Sequence, residues 1–483
     1  MRTVRGFLDR RAAERPDAVY LVAPEAGREF TYLDLQREAR KLCRFLRAEG
    51  LRPGDKVGFY CANGWQAAAI FLGTMYGGFV SVPLNLLAQP SQLEYVTGHA
   101  ELALAFADKE NAPRLAQSWK AAKIIVIDVD APSLFTDGEG DEPVPVAEDD
   151  VALLMYTSGT TGKPKGCVLT QKNVVSGALF VQQAHALTAQ DRVLSSLPLY
   201  HINGQIVATL GPMVQGGSVV APHRFSVSRF WALLAEHRCT WFNVVPTIIA
   251  YLVWSTENRH DVSRVRFGRS ASAPLPPQLH RVFEEKFGLS IIETFGMTET
   301  CGPCFANPLD RTKRKYGSVG VPVGNRAKVS DIGELMVKGD NVLREYYKNP
   351  EETRKAFTRD GWLRTGDLGY CDADGYYFVT GRLKELIIKG GENIAPREID
   401  DVLYKHPAVL EAAAVGIPDP RYGQEILAAV VLKPGAEASE AELRRFCQQE
   451  LGPYKTPKLF RFLKELPKGP SGKVQRLKLH DGG

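Results

Sequence analysis

Nowhere in the 483 residues is there an uninterrupted apolar run of the roughly 18 residues that a membrane-spanning helix needs. The opening stretch Met1–Leu8 carries two arginines and no apolar segment of signal-peptide length, so the cytosol is the expected compartment. Cysteine is sparse: eight are scattered along the chain, and only Cys301 and Cys304 lie close together. With no second such pair and no histidine nearby, Cys-Gly-Pro-Cys is a poor zinc site, and the scatter suits free thiols in a reducing compartment. A dominant charge is missing too. The net +5 does not by itself imply nucleic acid. The basic stretch from Pro453 to His480 lacks the interleaved aromatics of a nucleic-acid surface and reads as a solvated face near a small anion. The acidic, Pro/Gly-bearing stretch from Asp137 to Asp150 reads as a solvated loop.

The length and the 44% hydrophobic content allow two or three packing units. Apolar runs alternate with helical patterns through the first 130 or so residues, as in an α/β domain with a largely parallel sheet. Thr31 is placed to cap a helix with Asp34 in its first turn, Leu35, Ala39, Leu42 and Leu46 on one face, and Gly50 at its end. Buried strands are expected at Trp241–Pro246 and Val265–Ser270, and Tyr200 and His201 are expected at a strand end. From Gly333 the texture shifts to short, glycine-punctuated β segments. The last hundred residues look separate: Pro396 suits the first turn of a helix, a strand pair is expected at Val409–Ile417 and Ile426–Leu432, and Ser439 with Glu442 forms a capping box. The expected fold is therefore α/β: a large N-terminal domain of layered sheets with a small β subdomain (1–381), a hinge (382–384) and a mobile small α+β C-terminal domain (385–483).

The densest chemistry follows the apolar run Val151–Met155. Tyr156 to Gly166 packs Thr157, Ser158, Gly159, Thr160, Thr161, Gly162, Lys163 and Lys165 into one loop. Glycines let backbone N–H groups approach a ligand, and hydroxyls and lysines add donors and charge, so a polyphosphate is the natural occupant. It is not a Walker A loop, because Thr157 stands where the first glycine belongs and Pro164 follows Lys163. Beyond it, Glu299 beside Thr298 offers hard oxygen ligands for Mg²⁺, and Asp367 on a glycine turn offers a carboxylate to a pair of hydroxyls.

The loop, with Pro198–Gln205, Ser270–Leu275, Glu293–Thr300, Gly361–Asp367, Gly381–Ile394 and Pro467–Arg476 in that order, resembles the motif series of the adenylate-forming superfamily, in particular its acyl-CoA synthetases. The resemblance covers nearly the whole chain and implies an acyl-CoA ligase that uses ATP, Mg²⁺ and coenzyme A. A carboxylic acid would be converted to an acyl-adenylate with release of pyrophosphate, then transferred to CoA with release of AMP. It implies that Ser272, Ala273 and Pro274 bind adenine with Glu293, Thr294, Phe295 and Gly296. Thr298 would touch the α-phosphate and Glu299 hold the metal. Asp367 would take the ribose, and Arg382 the ribose or α-phosphate. His201, Asn203, Val245, Arg269 and Gly296 would line the acyl pocket, with Arg269 either pairing with a second polar group of the acid or simply ending a strand. Lys384 matches the hinge, Gly390 and Gly391 the CoA tunnel, and Lys473 the catalytic lysine. Tyr422 either stacks near the CoA nucleotide or packs. No acidic residue in Phe242–Pro246 would hold an α-amino group, so an amino acid is disfavoured. The expected partners are the acid, ATP and CoA, with a homodimer and a carrier-protein thiol as further options. A non-catalytic acyl-adenylate-binding protein is a different class of alternative.

Overall fold

A computed structural model describes residues 2–120, 123–136, 144–157, 164–255, 257–468 and 474–479. It is mixed α/β, with a large N-terminal domain and a small C-terminal one. Two sheets build most of the large domain. One has seven strands, in the spatial order Glu345–Tyr346, Lys165–Thr170, Val151–Thr157, Val80–Pro83, Lys56–Tyr60, Leu102–Asp108 and Ile124–Ile127. The other has nine, with Trp241–Val244, Phe267–Ser270 and Ile291–Met297 side by side and parallel near one end.

The helix Trp65–Tyr76 shows why the layers stay together. All twelve of its residues are buried, which suits a helix apolar all round and enclosed by the core. The helix Tyr32–Ala48 beside it is amphipathic and begins as its sequence dictates: Thr31 accepts from the Asp34 N–H while Asp34 accepts from the Thr31 N–H. A four-stranded antiparallel sheet, Arg326–Val329, Glu334–Lys338, Leu363–Cys371 and Tyr377–Arg382, forms the small β subdomain.

The C-terminal sheet centres on the long antiparallel pair Val409–Asp419 and Gly423–Leu432. Helices Pro396–Leu403 and Glu440–Lys455 cover one face, packing Ile399, Leu403, Leu443 and Cys447 on it. The other face is closed by Leu466 and Leu479, which flank the proposed catalytic loop. The Ser439 capping box is half-formed: its side chain accepts from the Glu442 N–H. Gly452, at φ 73°, kinks the second helix next to Pro453.

Tyr200 and His201 are not at a strand end. The strand stops at Leu194, six residues short of Tyr200, and Asn203–Leu210 winds as a wide π-helix. Pro198 has no N–H to give a ladder. Gly204 meets the turn so closely that a Cβ there would stand 2.4 Å from the Pro198 carbonyl oxygen.

Candidate active site

The three parallel strands Trp241–Val244, Phe267–Ser270 and Ile291–Met297 end at a cleft of about 190 Å³ that opens between the two domains. Ends of parallel strands are where α/β folds place ligands. After Phe267–Ser270 the chain turns sharply, and Ser272 adopts φ +74°, a left-handed conformation that non-glycine residues rarely hold. The turn sets Ser272, Ala273 and Pro274 on the cleft wall beside Glu293 to Gly296. Gly296 allows no side chain, since a Cβ would lie 1.9 Å from the Gly302 carbonyl oxygen. Glu293 accepts from the Leu275 N–H at 3.1 Å through Oε1, while Oε2 has no hydrogen-bond partner among the described residues. Burial pushes its carboxyl above the usual range.

Asp367 and Arg382 face each other across adjacent strands, and Arg382 Nε donates to Asp367 Oδ1 at 3.0 Å. Burial opposes the charge on Arg382, yet Asp367, Glu385 and Glu299 raise its pKa overall. Thr298 and Glu299 lie on a single tight turn just past Ile291–Met297. Glu299 is buried and accepts a hydrogen bond from the Tyr346 hydroxyl at 2.9 Å through Oε1. One carboxylate with an oxygen to spare fits Mg²⁺, which keeps waters and phosphate oxygens as its other ligands. Tyr346 also underlies Lys165, whose Nζ is 5.3 Å from the ring centroid. Lys165 is not a loose cation, because it forms an ion pair with Glu352. Thr157 ends its strand next to this pair, opposite Lys165. Ser158 to Lys163 and Lys473 lie outside the described residues.

Of the residues expected to line an acyl pocket, Gly296 is on the cleft wall and His201, Asn203, Val245 and Arg269 are not. Burial pushes His201 down to about 4, so the imidazole is neutral near pH 7. Asn203 begins the π-helix and links to Arg269 and Ser272. Val245 is buried just beyond the strand Trp241–Val244. The hairpin bearing Gly390 and Gly391 does not join the cleft. Both glycines are exposed, with positive φ of 56° and 87°, and the Gly390 N–H donates to the Tyr422 carbonyl at 2.8 Å. Lys384 sits exposed in the turn Leu383–Glu385. The C-terminal domain instead brings Arg397, Lys468, Val474 and Arg476 to the cleft. Arg397 donates to the Val379 carbonyl at 2.5 Å, and Arg476 lies 3.3 Å from Glu385.

Three contributors escaped sequence reasoning. Arg397 and Arg476 carry no local signal. Asn243 had one, a lone polar residue within an apolar strand, but only the register that sets it level with Arg269 gives it meaning.

The pattern of the AMP-binding enzyme family matches residues 8–347, and that of the AMP-binding enzyme C-terminal domain matches 398–473. The chain belongs to the AMP-binding enzymes. This AMP-binding enzyme is 52% identical to the sulfoacetate–CoA ligase of Cupriavidus necator over 99% of its own length and 97% of the relative's. Among solved structures it resembles ATP-bound MatB from Rhodopseudomonas palustris, with a TM-score of 0.89, 30% identity and coverage of 99% and 98% of the two chains. The apo form of the same MatB, at the same identity and coverage, gives a TM-score of 0.78. The chain is thus an AMP-forming CoA ligase that uses ATP, Mg²⁺ and CoA. It activates a carboxylic acid as the acyl-adenylate, releasing pyrophosphate, and passes the acyl group to CoA, releasing AMP.

Among the described residues no helix is long and apolar enough to cross a membrane. Seven of the eight cysteines are buried and all are free, including Cys301 and Cys304.

Proposed function

We propose that the enzyme activates a short acid carrying a second anionic group, with sulfoacetate the leading candidate, and that the interdomain cleft performs the adenylation half of the reaction. The observation that carries the site assignment is convergence. The turn Ser272–Pro274, the Asp367–Arg382 pair and the two residues flanking the Lys473 loop, Lys468 and Val474, line one cavity. The near-complete alignment with a sulfoacetate–CoA ligase supports the choice of acid.

In this reading adenine lies against Ser272 to Pro274, where small side chains leave room for a flat ring, and Glu293 Oε2 accepts from it. Asp367 accepts the ribose hydroxyls, with Arg382 holding its carboxylate in place and reaching the α-phosphate. Glu299 holds Mg²⁺, which when bound neutralises phosphate charge. The carboxylate of the acid attacks the α-phosphorus, and the bond to the pyrophosphate oxygen breaks. Lys473 steadies the charge on the pentacovalent transition state. Thr157 to Lys165 receive the pyrophosphate, and Lys165 must leave Glu352 to do so. A neutral His201 orients the acid by shape and hydrogen bonding and does not act as a cation. The thioester half needs a different face of the C-terminal domain, the Gly390–Gly391 hairpin, brought in by rotation near Lys384.

The test is pyrophosphate release across a panel of acids, with and without CoA. Sulfoacetate should give the highest kcat/KM, with CoA required for sustained turnover. A panel in which neutral short acids outrun sulfoacetate overturns the choice of acid.

A further inference from the structure

Arg269 stands at the C-terminal end of the strand Phe267–Ser270, 2% exposed, and among the described residues it has no carboxylate partner. Its Nη1 donates to Asn203 Oδ1 at 2.8 Å and to Asn243 Oδ1 at 2.9 Å. Nε has no acceptor. Three other deeply set guanidiniums are treated differently: Arg314, Arg397 and Arg476 each have a carboxylate within 3.4 Å. A buried cation held only by neutral amide oxygens recovers part of its lost hydration and none of its charge balance. Burial accordingly pushes Arg269 down to about 9.

The two asparagines are fixed as well. Asn243 Nδ2 donates to Asn203 Oδ1 at 3.1 Å, and Asn203 Nδ2 donates to Ser272 Oγ at 3.2 Å. Ser272 is on the cleft wall in its left-handed conformation. Three side chains therefore lead from the nucleotide cleft to an uncompensated charge behind it. This is costly to keep for stability alone, since neutral packing would serve a structural position as well.

We propose that Arg269, oriented by Asn203 and Asn243, is the counter-ion for the second anionic group of the acid and selects acids that carry a fixed negative charge close to the reacting carboxylate. This rests on the assignment of such an acid as substrate. A sulfonate suits the position: it stays ionised at any working pH and presents several oxygens to the planar fork of an arginine. A site built to pair with a group rejects an analogue lacking it far more strongly than an apolar pocket rejects a missing methylene.

The test compares sulfoacetate, malonate and 3,3-dimethylbutyrate, the last replacing the sulfonate by an uncharged group of similar shape. Adenylation by the full-length enzyme is followed through pyrophosphate release. In Arg269→Met the ratio of kcat/KM for sulfoacetate to that for 3,3-dimethylbutyrate should fall about 100-fold or more, carried mainly by KM, and the malonate ratio should fall with it. Asn243→Asp supplies an internal carboxylate to Arg269 and should cut the same ratios at least about 10-fold, while ATP still raises the melting temperature as in wild type. Arg269→Lys should recover part of the preference, because the charge returns without the fork.

If wild type prefers sulfoacetate but Arg269→Met and Asn243→Asp leave the ratio intact, the role of Arg269 is wrong and the substrate reading survives. If wild type prefers 3,3-dimethylbutyrate, the substrate reading itself falls. If Arg269→Met does not fold, Asn243→Asp decides alone.

Discussion

Two arginines, one at the strand ends of the large domain and one near the C-terminus, meet the same difficulty with opposite results. Arg269 is fully buried and Arg476 is mostly so. Arg476 bonds Asp400 at 2.5 Å and the Ala414 carbonyl at 2.7 Å and lies near Glu385. Burial works against its charge, but Asp400 and Glu385 more than restore it and its pKa rises. Arg269 has two neutral oxygens, and its pKa falls. A cation that finds its own anions holds a structure together, whereas one left short of them is fitted to receive an anion from outside. Burial alone does not separate the two roles; the count of facing carboxylates does.

That contrast can be broken in three ways, from the largest effect down. Arg476 lies three residues after Lys473 in the sequence, and Lys473→Ala should remove adenylate formation by roughly 1,000-fold or more, comparable to deleting a main donor at a developing charge. Thioester formation from supplied acyl-adenylate should persist, and an equal loss in both half-reactions would contradict the role given to this lysine. Arg476→Leu should then cost about 3–5 kcal/mol of stability in urea unfolding, because Asp400 is left buried and unpaired. Its effect on activity should be the same for sulfoacetate and 3,3-dimethylbutyrate, unlike that of Arg269→Met. A selective loss for the charged acid would erase the distinction.

The smallest effect concerns two buried histidines of the large domain. His201 is held at about 4 by burial, and His185 is lowered by burial and then by the charge of Arg269. Both are neutral when folded, while the unfolded chain takes protons near pH 6.5. Their contribution is therefore whole above pH 6.5 and is lost as the pH falls toward 4. The unfolding free energy from urea titrations should be higher at pH 7.5 than at pH 5 by about 2 kcal/mol from His201 alone, and a flat profile would refute its neutrality.

Much of the frame was legible in the sequence because local chemistry fixes it. The Thr31–Asp34 cap forms where those residue types are spaced for it, and Pro396 opens its helix. Asp367 and Arg382 were singled out separately and turn out to be hydrogen-bonded. The misses share a cause. The π-helix at Asn203–Leu210 depends on close approach to the Pro198 carbonyl, a tertiary event with no periodic signature. Lys165 bonded to Glu352, and Asn243 level with Arg269, are pairings between distant segments that only folding creates. For Arg269 the sequence offered two roles, and what separates them is the absence of a facing carboxylate among the described residues, which no motif records.

The short bridge between Lys468 and Val474 has a consequence for timing. The Gln475 N–H donates to the Pro467 carbonyl at 2.8 Å, and Leu466 and Leu479 are both sunk into the same sheet face. Lys468 and Val474, both on the cleft wall, are therefore fastened to the sheet, and they reach or leave the cleft on the clock of the whole C-terminal body.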